Sequence, residues 1–124
     1  MFQANPDSGN LTLPSVSYER DLIDFMKQLK QNVLARLDID GPFVLLYTLL
    51  NAKSAQLGVN DIFALDEGLG NFDRQQIILP DFLVEDPSID EGQMLRPIFD
   101  LVWNAAGFRQ SQNYDENSGI WCGT

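Results

Sequence analysis

The feature that most constrains the fold is one dense run of apolar side chains near the middle of the chain. Residues 43–50 read FVLLYTLL, and Thr48 is the only interruption in this eight-residue run. The run is too short to cross a bilayer, which takes about 20 residues. A segment that is apolar on all sides has to be covered by the rest of the molecule. The run therefore predicts the central and most buried element of a globular domain.

Two secondary structures compete for this run. Asp40 is a candidate helix cap, Pro42 is tolerated in a first helical turn, and Gly58 is typical of the position just past a helix end. Together they predict a helix over residues 43–57. The alternative is a buried strand over residues 43–50, because Phe, Val, Tyr and Thr all favour sheets. The flanking residues favour the helix.

A helix is also predicted before the run, over residues 18–37. Ser17 is its predicted N-cap, followed by acidic residues in the first turn, where a helix dipole favours them. Its apolar side chains recur at steps of three and four, which is typical of one buried helical face. These side chains are Leu22, Phe25, Met26, Leu29, Val33 and Leu37.

A third helix is predicted over residues 88–106. Ser88 and Glu91 match the capping box, in which each side chain bonds the backbone N–H of the other residue. Gly107 is the predicted stop, and Pro97 inside the helix predicts a kink.

The remaining segments predict the outline of the domain. Residues 1–17 are rich in Pro, Gly, Ser and Asn and predict a flexible arm, which leaves residues 18–124 as a single globular domain. A turn signal at residues 117–119 predicts a small C-terminal hairpin. We therefore expect a mainly α fold, a compact bundle of about three helices with a minor β element, and an α+β fold is the alternative.

Composition excludes several functions. The chain has 18 acidic and 8 basic side chains, so its net charge is 8 − 18 = −10. A surface this acidic repels phosphate, so we expect neither direct nucleic-acid binding nor membrane docking. The chain has no histidine, which removes Ser-His-Asp and Cys-His catalysis. Its lone cysteine, Cys122, and a start without a basic, apolar leader predict a cytoplasmic protein.

Carboxylates are the abundant reactive groups. Residues 61–100 hold ten acidic side chains against two arginines, a local balance of 2 − 10 = −8. The ten are Asp61, Asp66, Glu67, Asp73, Asp81, Glu85, Asp86, Asp90, Glu91 and Asp100. Hard cations bind such oxygens, and Asn113-x-Asp115-x-Asn117 begins like a calcium loop, but Ser118 stands where that loop needs glycine. We expect a solvated acidic face, with no metal, cofactor or catalytic residue.

The C-terminal segment carries the residue types that interfaces favour. Tyr114 and Trp121 are predicted apolar anchors, since Trp, Tyr and Arg are enriched in interface hot spots. Arg96, Asp100 and Asn104 lie four apart on one polar helix face and are predicted to orient a partner. These residues predict a non-catalytic protein–protein interaction or regulatory module that self-associates as a homo-oligomer. The alternative is a small-ligand or divalent-cation domain, possibly enzymatic, that uses Asp and Glu carboxylates.

Overall fold

A computed structural model of the protein describes residues 3–4, 11–38, 42–53, 55–59 and 70–123. Two α-helices, α1 (Ser15–Leu29) and α2 (Glu91–Ala105), account for its helical part, and α1 continues into a π-helical turn over Lys30–Leu34. The strands are β1 (Gln3–Ala4), β2 (Leu11–Pro14), β3 (Phe43–Leu45), β4 (Thr48–Leu50), β5 (Ala55–Gly58), β6 (Gln76–Ile78) and β7 (Phe82–Val84). The fold is thus mixed α/β.

One small sheet holds the beginning of the chain. Its strand order is β1-β2-β5, with β1 antiparallel and β5 parallel to β2. Parallel neighbours need a crossover connection, and α1 supplies its helix, since it begins directly after β2. β2 and the first turn of α1 belong to the stretch predicted as an arm over residues 1–17, and residues 5–10 of that stretch lie outside the described residues. The division into arm and domain stays a prediction.

The other strands form two antiparallel pairs, β3 with β7 and β4 with β6. The two pairs follow each other along the same two stretches of chain, and Leu79 N–H donates to the Tyr47 carbonyl (3.2 Å) between them. Two residues separate β3 from β4 and three separate β6 from β7, so the register shifts by one residue at this point. We call β3, β4, β6 and β7 together the ribbon.

The predicted mainly α bundle of three helices is wrong, because the described part of residues 43–57 contains β3, β4 and most of β5 and no helix. The β-branched and aromatic side chains of the run prevail once strands β6 and β7 are available to pair with them. Gly58 is not a helix stop but the last residue of β5. A Cβ atom there would lie 3.0 Å from Cγ2 of Thr12 on the paired strand.

The ends of both helices differ from their predictions. α1 begins at Ser15 and not after a cap at Ser17. The cap of α2 is Asp90, whose carboxylate accepts a hydrogen bond from the Gln93 N–H (3.3 Å), so the predicted capping box is wrong. Ser88 instead donates to the Asp86 carboxylate (2.6 Å).

The C-terminal half of α2 follows its prediction more closely. Gly107 has a φ of 94° directly after the helix, which confirms the predicted left-handed stop. α2 runs through Pro97 without interruption. The predicted C-terminal hairpin is reduced to a single antiparallel bridge between Tyr114 and Trp121.

The core lies between α1, α2 and the inner faces of the sheets. α2 contributes its buried face to this core, namely Met94, Leu95, Ile98, Phe99, Val102 and Trp103. Tyr18 of α1 meets Phe99 edge to face, with ring centroids 5.7 Å apart. Neither helix described has the length and apolar content needed to cross a membrane.

Candidate functional site

A buried carboxylate organises the end of the chain. Glu19 on α1 is 0% exposed. Its two oxygens accept hydrogen bonds from four side chains: Trp103 Nε1 (2.8 Å), Trp121 Nε1 (3.0 Å), Ser111 Oγ (3.0 and 3.1 Å) and Asn113 Nδ2 (3.3 Å). We call these five residues the Glu19 cluster. It joins α1 to α2 and to the segment that follows α2.

The electrostatics of the Glu19 cluster are those of a buried acid among neutral donors. Burial raises the pKa of Glu19, and the hydrogen bonds from Trp103, Trp121, Ser111 and Asn113 partly oppose that rise. Within the described residues no Lys or Arg forms an ion pair with this carboxylate. Five short contacts fill the acceptor positions of its two oxygens, so the carboxylate fastens chain segments together and has no position left for a ligand.

Glu19 is not among the site residues predicted from sequence, although one signal in the sequence points to it. Leu22, Ile23 and Met26 lie three, four and seven residues further along α1, so Glu19 continues the stripe that α1 turns inward. A carboxylate on such a stripe has to find donors in the core. The donors lie more than 80 residues away in sequence, which is why spacing alone does not identify them.

The two predicted aromatic anchors lie against the domain. Tyr114 is buried, and its hydroxyl donates to the Gly92 carbonyl (2.5 Å). The guanidinium of Arg96 lies 4.6 Å from the centre of the Tyr114 ring. Trp121 is half-buried and belongs to the Glu19 cluster. The structure thus brings Tyr114, Arg96 and Trp121 together around the start of α2, and their role as contacts for a partner stays a prediction.

The other two predicted orienting residues hold the chain that leaves α2. Asp100 accepts a hydrogen bond from the Ser111 N–H (2.9 Å) and lies 3.9 Å from Arg96. Asn104 donates from Nδ2 to the carbonyls of Phe108 (2.9 Å) and Arg109 (2.6 Å). These bonds close the C-terminal end of α2. Whether the same side chains also meet a partner stays a prediction.

The acidic segment does not assemble a cation site in the part of the chain that the structure describes. Asp61, Asp66 and Glu67 lie outside the described residues. Among the others, no three carboxylate or thiol side chains are grouped so that they could hold a metal ion. Asp115, in the middle of the calcium-like pattern, accepts hydrogen bonds from Ser118 Oγ (2.6 Å) and Ser118 N–H (3.0 Å). These hydrogen bonds lower the pKa of Asp115. The same bonds close the turn over residues 115–118.

The ribbon has an apolar face that is open to solvent. Its inner side chains pack on the core, whereas those on the other side are exposed: Val44, Leu46, Leu50, Ile78 and Leu83. Leu46 is 76% and Ile78 72% exposed, the highest values among the large apolar side chains described. We call these five residues the outer face of the ribbon. Sequence could not assign them to a surface, because the run in residues 43–50 is apolar on both sides.

Two concave surfaces accompany these features. A groove of about 370 Å³ separates the ribbon from α2, with Ile78 on one side and Asn104 on the other. A larger cleft of about 620 Å³ opens where β2 and β5 end and α1 begins. Of the buried core residues of α2, Trp103 is the one named in the described lining of these surfaces, and it lines the cleft.

No protein family model, curated protein or solved structure matches this chain at a significant level. Its function therefore has to be inferred from its own surfaces. Of these surfaces, the outer face of the ribbon has the most exposed large apolar side chains. Covering apolar side chains lowers the free energy, so this face is the best candidate for a contact surface.

Proposed function

We propose that this chain is a non-catalytic, cytoplasmic protein-interaction module whose contact surface is the outer face of the ribbon. The observation that carries the proposal is the grouping of Val44, Leu46, Leu50, Ile78 and Leu83 on one exposed side of the ribbon. Monomeric proteins rarely expose contiguous apolar patches of more than a few hundred Å², and larger patches mark interaction sites.

Strand register places the side chains of this face next to one another within each half of the ribbon. Val44 lies directly opposite Leu83, and Ile78 lies opposite Thr48 in the next pair. At a rise of about 3.3 Å per residue, an extended stretch such as residues 43–50 is about 25 Å long. An apolar strip of that shape fits a partner that is itself extended, such as a strand with apolar side chains on one face.

The acidic residues near the outer face support a partner with basic side chains. Asp73, Asp81, Glu85 and Asp86 are all exposed on or beside β6 and β7, and Arg74 is the one basic residue in the same stretch. A second copy of this chain would bring a net charge of −10 against the same charge. A different protein, with an apolar strip bordered by Lys and Arg, would instead be attracted to these acidic residues.

The experiment uses a designed peptide of alternating Val and Lys as the probe, and the same peptide with Glu in place of Lys as its control. We expect the Lys peptide to bind the full chain, more weakly as salt is added, and the Glu peptide not to bind. The double variant Leu46→Ser/Ile78→Ser should lose this binding. The matched control, Phe25→Ser/Leu37→Ser, removes two exposed apolar side chains of the α1 region and should keep it.

Two results would overturn the proposal. One is equal binding of the Lys peptide to the chain and to the Leu46→Ser/Ile78→Ser variant, with circular dichroism showing that both are folded. The other is a dimer in light scattering that this variant dissociates, because the outer face would then be occupied by a second copy.

A further inference from the structure

The cleft at the start of α1 lies at the carboxyl ends of two parallel strands. Pro14 at the end of β2 is the register partner of Gly58 at the end of β5, and both residues line the cleft. α1 begins at Ser15, so its N-terminus opens into the same space. In larger open α/β sheets, ligands bind in the crevice outside the carboxyl ends of parallel strands, where the strand order reverses. The present sheet has one parallel pair, and the cleft lies at the same ends of that pair.

The N-terminus of α1 is not capped by a side chain. The residue at the cap position is Pro14, which offers no side-chain acceptor, and the first turn contains no acidic residue. The first N–H groups of a helix have no partner within the helix, and they carry the positive end of its dipole. An anion in the cleft would satisfy both.

Ser15 provides a second and independent sign of a ligand. The residue is only 4% exposed, and its hydroxyl has no hydrogen-bond partner in the described part of the chain. Buried hydroxyls normally have partners. Among the described residues, the Tyr18 hydroxyl is the one fully buried side-chain oxygen that lacks a hydrogen-bond partner. The Ser15 oxygen also lacks a partner but is not in that class, so a small part of its surface is open to solvent. Because Ser15 lines the cleft, its remaining exposure is toward that space.

The remaining walls set the charge of the ligand. Besides Pro14, Ser15 and Gly58, the described residues that line the cleft are Thr12, Val16, Val59, Trp103, Gln112, Asn113, Cys122 and Gly123. Among the described residues, this lining contains no Lys or Arg to balance a doubly charged phosphate. Trp103 and Asn113 also bind Glu19, so a buried acid lies behind this wall. The cleft therefore offers dipoles and neutral donors, which suit a single negative charge.

We propose that this cleft binds a carboxylate, held by the first N–H groups of α1 and by the hydroxyl of Ser15. Such a carboxylate belongs either to a small organic acid or to the C-terminus of a peptide. The site shares no residue with the outer face of the ribbon, so it goes beyond the proposed interaction function and does not depend on it.

The test is a titration of the full ¹⁵N-labelled chain with sodium acetate, followed by the backbone amide signals. We expect saturable shifts at Ser15, Val16 and Gly58 that equal concentrations of sodium chloride do not produce. Ser15→Ala should weaken acetate binding by about tenfold, the loss of one hydrogen bond to a charged group. Ser17→Ala, an exposed serine in the same turn, should bind acetate as the unchanged chain does.

A short peptide with a free C-terminus, compared with its amidated form, distinguishes the two sources. Tighter binding of the free peptide than of acetate assigns the site to peptide C-termini, and equal binding assigns it to small acids. The proposal is overturned if sodium chloride gives the same shifts, if inorganic phosphate saturates the site and acetate does not, or if Ser15→Ala binds acetate unchanged.

Discussion

The indole Nε1 of Trp103 lies 2.8 Å from Oε2 of Glu19, although 84 residues separate them in sequence. This bond ties the far end of α2 to the first half of α1. Both residues are buried, so neither polar group has bulk water as an alternative partner. Part of the stability of the domain therefore rests on a buried carboxylate that forms no ion pair with a Lys or Arg among the described residues.

Glu19→Ala is expected to destabilise the protein strongly. The substitution leaves buried donors of Trp103 and Ser111 without an acceptor, at a cost of about 3 kcal/mol or more in the free energy of unfolding. Urea denaturation followed by circular dichroism measures this. Asp24→Ala, at an exposed acid on the same helix, is the control and should change the free energy by no more than about 0.5 kcal/mol. Equal losses in the two variants would contradict the role of Glu19.

The pH dependence of stability should show the same carboxylate with a defined sign. Burial raises the pKa of Glu19 above its ordinary 4.5, so the folded protein holds this proton more tightly than the unfolded chain. Its contribution to stability is complete below pH 4.5 and is lost as pH rises through the folded-state pKa.

Acids whose pKa is lowered in the folded protein affect its stability in a different pH range. Hydrogen bonds from Ser88 and Ser118 lower the pKa of Asp86 and Asp115 below the ordinary 3.8, so the stability they contribute is lost only as pH falls below that value. A titration of the Glu19 carboxyl carbon by NMR separates the two effects. A midpoint below 4.5 for Glu19 would contradict the prediction.

Two adjacent isoleucines of β6 should respond very differently to truncation. Ile77 is 7% exposed and faces the core, whereas Ile78 is 72% exposed on the outer face of the ribbon. We expect Ile77→Ala to lower the free energy of unfolding by about 2–5 kcal/mol and Ile78→Ala by less than about 1 kcal/mol. Thermal and urea unfolding of the two variants measure this difference. A larger loss for Ile78→Ala would mean that the ribbon has the opposite face inward.

Asn104→Ala should test the closure of α2. The side chain donates to the carbonyls of Phe108 and Arg109, which follow the helix, and losing both bonds should cost about 1–2 kcal/mol. Asn32→Ala, at an exposed asparagine of the π-helical turn, is the matched control and should be nearly neutral. Equal unfolding midpoints for the two variants would show that these bonds contribute little.

Local periodicity predicted α1 and α2 because each helix has its own buried stripe in a continuous stretch of sequence. The middle of the chain differs, since residues 43–50 are apolar on both sides and their pairing partners, β6 and β7, lie at least 26 residues away. No local pattern shows that pairing. The prediction of a helix therefore followed Pro42 and Gly58, which flank the segment, rather than its β-branched and aromatic residues. The Glu19 cluster escaped prediction for the same reason, because its donors come from the opposite end of the chain.

The chain has two tryptophans, and both indole N–H groups bind the carboxylate of Glu19. Its tryptophan fluorescence therefore comes entirely from rings that are hydrogen-bonded to one ionisable group. Loss of the proton from Glu19 changes the charge next to both tryptophans, and release of either ring changes the surroundings of that ring. The protein carries a built-in optical reporter of its own buried acid, which needs no label.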